Sequence, residues 1–177
     1  MTTRKLFILL AVALVLQTTH YAEHVAQMIQ IYAYYIAPAH AHGLLGQVFD
    51  FEWVHFIYNI GLEILLIGLW LGYRRIARTE PANISRMGLQ IFTGLVLFQF
   101  YHSIEHATKL YQYLFVPLYQ SGMPPTPGIL PLLTGWRIFL VHFWLNTVVW
   151  SALVVALWYL RPSWAVWAEP AKLSPGS

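Results

Sequence analysis

Two pentapeptides, HYAEH at 20 to 24 and HSIEH at 102 to 106, each place two histidines and a glutamate within about one helical turn. Neutral imidazole binds zinc, copper, iron and nickel, and a carboxylate adds an oxygen donor. The match extends beyond the pentapeptides. QTTHYAEH aligns without a gap with QFYHSIEH, pairing Gln17 with Gln99, His20 with His102, Glu23 with Glu105 and His24 with His106. VHFIYN and VHFWLN then pair His55 with His142 and Asn59 with Asn146.

Helical geometry turns this spacing into faces. With His20 as origin, His24 falls at about 40°, Glu23 at about −60° and Gln17 at about 60°, so one stripe carries all four. Gln99, His102, Glu105 and His106 form the equivalent stripe, while His55, Asn59 and Glu63 recur every fourth residue on another helix. Six histidines and two glutamates exceed the needs of one tetrahedral ion. The expectation is therefore two metal ions, iron or zinc ahead of copper.

His20, His24, His55, His102, His106 and His142 are expected as ligands, with Glu23 and Glu105 as bridging or terminal carboxylates that also take part in catalysis. Gln17, Gln99, Asn59 and Asn146 suit the surrounding shell, where hydrogen bonds to the outer ring nitrogen orient each imidazole. Asn59 and Asn146 also suit substrate binding, and Glu63, a turn further along, suits a proton relay. The nearest physical analogy is the helical carboxylate di-metal site, here tilted toward nitrogen. HxxEH is also the zinc motif of inverzincin peptidases. Its duplication and the added His-Asn helices lie outside that pattern, so no membership follows.

The elements that must hold these groups are apolar. Of 177 residues, 58% are hydrophobic and 10% charged, against about 25% charged in ordinary soluble domains. Stretches at 6–32, 51–73, 87–115 and 138–160 each exceed the roughly 20 residues that cross a hydrocarbon core. The expected fold is an all-α integral membrane protein, a single domain over 1–177 with a tail from 162. Its four-helix bundle is built from tandem hairpin repeats at about 5–75 and 86–161, related by a pseudo-two-fold axis along the membrane normal. Arg4 and Lys5 before an apolar run also resemble a signal peptide. The match between the residues that follow and the middle of the third helix favours retention.

Eight of the ten basic residues lie before the first stretch, between the second and third, or after the fourth. The excess of positive charge on cytoplasmic segments then puts both termini inside, in what is expected to be the plasma membrane. Counting at 1.5 Å per residue from the basic flanks sets the six histidines in one layer at about 22–30 Å, near the outer face of a core about 30 Å thick. Ionisable groups at such positions mark functional sites by default. His40 and His42 are expected to be solvated loop residues, Asp50 and Glu52 to suit the start of the second helix, and Trp53, Trp136, Tyr32, Tyr34 and Tyr35 to form an interfacial belt.

A membrane metalloenzyme is the first functional expectation, an oxidoreductase of hydroxylase or desaturase type acting on a lipid-soluble substrate. Electrons would come from a partner protein, because no nucleotide motif is visible, and a homodimer is compatible. A zinc-dependent membrane hydrolase and a metal transporter or sensor are alternatives, although the apolar inner halves argue against a pore. Haem b ranks lower, because histidines four apart on one helix do not readily reach opposite faces of one macrocycle. A non-catalytic subunit of a membrane complex also remains. The dispersed basic residues imply no nucleic-acid partner, and the absence of cysteine excludes disulfides and thiolate ligands.

Overall fold

The computed structural model describes residues 2–46, 51–122 and 124–162; Asp50 and the tail beyond 162 lie outside them. Among the described residues four long helices, α1 (Thr3–Tyr32), α2 (Glu52–Thr79), α3 (Arg86–Phe115) and α5 (Ile138–Tyr159), are joined by short 3-10 turns and a brief helix, α4 (Leu130–Thr134). Side-chain caps set two starts: Lys5 N donates to Thr2 Oγ1, and Gly88 N donates to Ser85 Oγ. These bonds satisfy amides that a helix leaves without partners. α1 stops where Tyr35 takes a left-handed φ of 56° and Pro38 opens a new turn.

α2 runs six residues past the expected end at Tyr73. The chain turns polar after Tyr73, at RRIARTEPANIS, but Tyr73 and Ile76 are buried and their packing carries the helix on to Thr79, just before Pro81. The second long connection, rich in proline and glycine, does not continue α3 past Phe115 but contains the separate short α4. Proline is tolerated in the first turn of a helix, where its missing N–H costs nothing, and Pro131 stands there.

α1 packs against α2 and α5, and α3 packs against the same two, which closes the four long helices into a ring. Leu6, Leu10, Leu66, Leu69, Tyr73, Phe92, Val149 and Leu153 fill its centre toward the end away from the α1–α2 and α3–α4 connections. Large apolar residues such as Val15, Ile57, Ile64, Leu97, Phe100 and Trp144 point outward. A water-facing bundle keeps its outer stripe polar; here the outside is apolar.

Among the described residues α1, α2 and α5 are long and apolar enough to cross a membrane. α3 is equally long, but it carries Gln99, His102, Ser103, Glu105, His106, Lys109 and Gln112. All seven are buried within the ring, so its low apolarity reflects its inner face.

Candidate metal centre

The six histidines meet at one level inside the ring. Their rings form a continuous cluster, with centroids 4.8 Å apart for His20 and His24, 4.9 Å for His102 and His106, 5.6 Å for His20 and His55, and 5.1 Å for His106 and His142. Two contacts join the halves: His55 lies 5.8 Å from His106 and His24 lies 6.1 Å from His142. Both pairs are nearly parallel, at 3° and 15°.

Within each helix the paired histidines face one another through Nε2, at 3.3 Å between His20 and His24 and 3.2 Å between His102 and His106. Two nitrogens on one tetrahedral zinc, each about 2.0–2.1 Å from it, stand about 3.3 Å apart. The separations therefore already suit shared coordination. His20, His24 and His55 each offer a nitrogen, all within 4.8 Å of one another, a grouping able to hold a metal ion.

The outer nitrogens of two of these rings are committed. His24 Nδ1–H donates to Gln27 Oε1 at 2.9 Å, and His55 Nδ1–H donates to Phe51 O at 3.2 Å. Both acceptors are oxygens, so the proton sits on Nδ1 and each Nε2 keeps the lone pair a ligand needs. The ring of Tyr58 stacks on His20 at 4.5 Å, and its hydroxyl donates to Gln17 Oε1 at 3.4 Å. A cavity of about 200 Å³ adjoins this trio, lined in part by Thr19, Glu23, His42 and Tyr58. Of the two loop histidines, His42 faces this cavity and His40 is exposed.

The glutamates are used differently from the expectation. Glu23 accepts from Leu44 N at 2.7 Å and Leu45 N at 3.0 Å. Glu105 accepts from Ile129 N at 2.9 Å and Leu130 N at 3.1 Å. The structure thus places both carboxylates on loop amides instead of in a bridging position. Free amides compete strongly for a carboxylate, and a charged acceptor forms the stronger bond.

Each clamp has a second jaw that the sequence analysis missed. Gln30 donates to Gly43 O and accepts from Gly43 N, both at 2.9 Å; Gln112 does the same with Gly128 at 3.4 and 2.9 Å. Gly43 and Gly128 have φ of +77° and +79°, and a Cβ on either would collide with the glutamate beside it. Gln30 and Gln112 are 82 residues apart, the same offset as the histidine pairs. That offset, followed nearly two turns further, was the available signal.

The four amides form a second polar layer next to the histidines. Gln17 Nε2 donates to Asn146 Oδ1 at 2.9 Å, and Gln99 Nε2 donates to Asn59 Oδ1 at 3.0 Å. Asn59 and Asn146 each donate to the backbone carbonyl one turn earlier, His55 O and His142 O. They were expected to hold imidazole nitrogens; their bonds instead link each half to the other and act on the histidines through the backbone. Glu63 is buried, and among the described residues neither of its carboxylate oxygens finds a hydrogen-bond partner. At the matching place on α5, Trp150 Nε1 donates to Thr18 Oγ1.

Glu52 stands in the first turn of α2, as expected, and also pairs with Lys109 at 3.0 Å while accepting from Thr126 Oγ1 at 2.7 Å. Trp53, Trp136, Tyr32, Tyr34 and Tyr35 are all exposed. No protein-family model, curated protein or solved structure matches this chain.

Proposed function

We propose that this protein is a membrane-embedded metalloenzyme whose four long helices all cross the bilayer as two parallel hairpin repeats. The two matched motif pairs support this, as do the equivalent clamps and amide bonds in the two halves and the apolar outer surface. α3 crosses with the others because its polar side chains face inward. The distribution of basic residues puts both termini in the cytoplasm and the imidazole layer near the outer face of the plasma membrane.

One observation carries the metal reading. His20 and His24 present Nε2 atoms 3.3 Å apart, beside His55 and a cavity, with two of the outer nitrogens already bonded to oxygen. Three neutral imidazoles with a fourth position toward a cavity are the form of a catalytic zinc site, in which bound water becomes acidic enough to supply hydroxide near neutral pH. Withdrawal of both glutamates favours this all-nitrogen set, so hydrolysis of a lipid-soluble substrate is the first reading.

Oxidation of such a substrate is the second reading, with copper more suitable than iron once the carboxylates are gone. It requires an electron-donor partner. Elemental analysis of detergent-purified protein tests the centre: zinc or copper bound to the wild type and lost from His24→Ala is expected. X-ray absorption should show nitrogen donors at about 2.0–2.1 Å for zinc. Wild-type protein that stays folded and metal-free after loading with either ion overturns the proposal.

A further inference from the structure

The two halves share a plan but differ at the positions that decide whether a ring can bind metal. The offset of 82 residues that pairs His24 with His106 also pairs Gln27 with Lys109, and the offset of 87 that pairs His55 with His142 pairs Tyr58 with Leu145. In the first half Gln27 accepts the Nδ1 proton of His24. At its counterpart stands an ammonium, which has donors only and accepts nothing.

The hydrogen bonds follow this difference. Among the described residues, His102 Nδ1, His106 Nδ1 and His142 Nε2 are buried and find no hydrogen-bond partner. No described oxygen therefore holds the proton of His106 on its outer nitrogen, so nothing reserves its Nε2 lone pair for a metal, although its separation from His102 Nε2 matches that of the first pair. Lys109 is also a fixed positive charge about one turn from His106, and like charges repel most where water is excluded. Glu52, 3.0 Å from it, holds the ammonium there.

Access differs in the same direction. The cavity is lined by His20, His24 and His55 and by no histidine of the second half. His102 and His106 are 0% and 1% exposed.

We propose that the chain holds one metal ion, on His20, His24 and His55, and that Lys109 keeps the matching trio His102, His106 and His142 metal-free. The second trio then serves as packing for the first, through the flat contacts of His106 on His55 and His142 on His24. This rests on the metal reading above and departs from the two ions expected from residue count alone.

The test is zinc per chain in full-length protein, loaded with zinc in detergent, desalted and confirmed monodisperse. Wild type should carry one ion, His24→Ala close to none, and His102→Asn still one. Lys109→Gln combined with Glu52→Gln, which restores the acceptor and leaves no unpaired carboxylate, should carry two. Two ions in the wild type, loss of the ion from His102→Asn, or a single ion in the double variant overturns the division between halves while leaving a metal centre. A wild type with none removes the centre itself. If the double variant does not fold, the contrast between His24→Ala and His102→Asn decides.

Discussion

Replacing Glu105 by glutamine separates a loop clamp from a metal ligand. The carboxylate is fully buried. Its Oε1 lies 2.9 Å from Ile129 N and 3.1 Å from Leu130 N, and its Oε2 is 3.3 Å from both Leu130 N and the Tyr101 hydroxyl. Glutamine keeps one oxygen and nearly the same volume but removes the charge. A hydrogen bond to a charged group contributes about 1.5–3 kcal/mol and a neutral one about 0.5–1.5, so the two amide bonds together lose about 2–3 kcal/mol. At about 2–4 °C per kcal/mol for a chain of this size, the midpoint of thermal unfolding should fall by roughly 5–10 °C. Glu23→Gln should fall by less, because Glu23 is only half-buried and water screens it. Tryptophan fluorescence in detergent reads the unfolding, and elemental analysis of the same samples reads the metal. Both variants should keep the wild-type metal content per folded chain. Unchanged melting with the metal lost would show that the carboxylates bind the ion, and would refute the clamp.

Further outcomes follow from the same contacts. Gly128→Ala should melt well below Gly122→Ala. Both backbones have positive φ, but only the Cβ at Gly128 meets Glu105 and Lys109, and such overpacking costs about 1–3 kcal/mol more. A double-mutant cycle on Gln17→Leu and Asn146→Leu, read by unfolding in detergent, should return a coupling of about 0.6 and at most about 1.7 kcal/mol; zero coupling would mean their 2.9 Å bond contributes nothing to stability. Glu63→Leu should raise stability by about 1–3 kcal/mol, because a buried carboxyl without partners carries its desolvation cost uncompensated. A lower melting temperature would show that the carboxyl is engaged after all.

Much of the candidate centre was legible because helical periodicity is a local property. Two histidines four residues apart share a face wherever the helix lies, and an internal match at constant offset shows that the face occurs twice. Counting along the helices put the six imidazoles at one level, and their rings do meet. The ends of the helices were less legible. Tyr73 and Ile76 lengthen α2 because they find a neighbour to pack on, and RRIARTEPANIS alone does not reveal that neighbour.

The roles of the polar groups depended on partners distant in the chain. A glutamate beside histidines reads as a ligand until Leu44 and Leu45, or Ile129 and Leu130, bring their amides to it across 21 or more residues. Gln17 and Asn146 are 129 residues apart, so no local pattern announces their bond. The difference between the halves was present in the sequence as Gln27 against Lys109, yet it acquired meaning only once each stood beside a ring nitrogen or a carboxylate. By itself the sequence determined the membrane-type apolarity, the helices, the matching motifs and the imidazole stripes, because these depend on neighbours along one helix. Tertiary structure decided which oxygens the imidazoles, amides and carboxylates meet, because a hydrogen bond is set by distances of about 3 Å that only the assembled helices and their loops define.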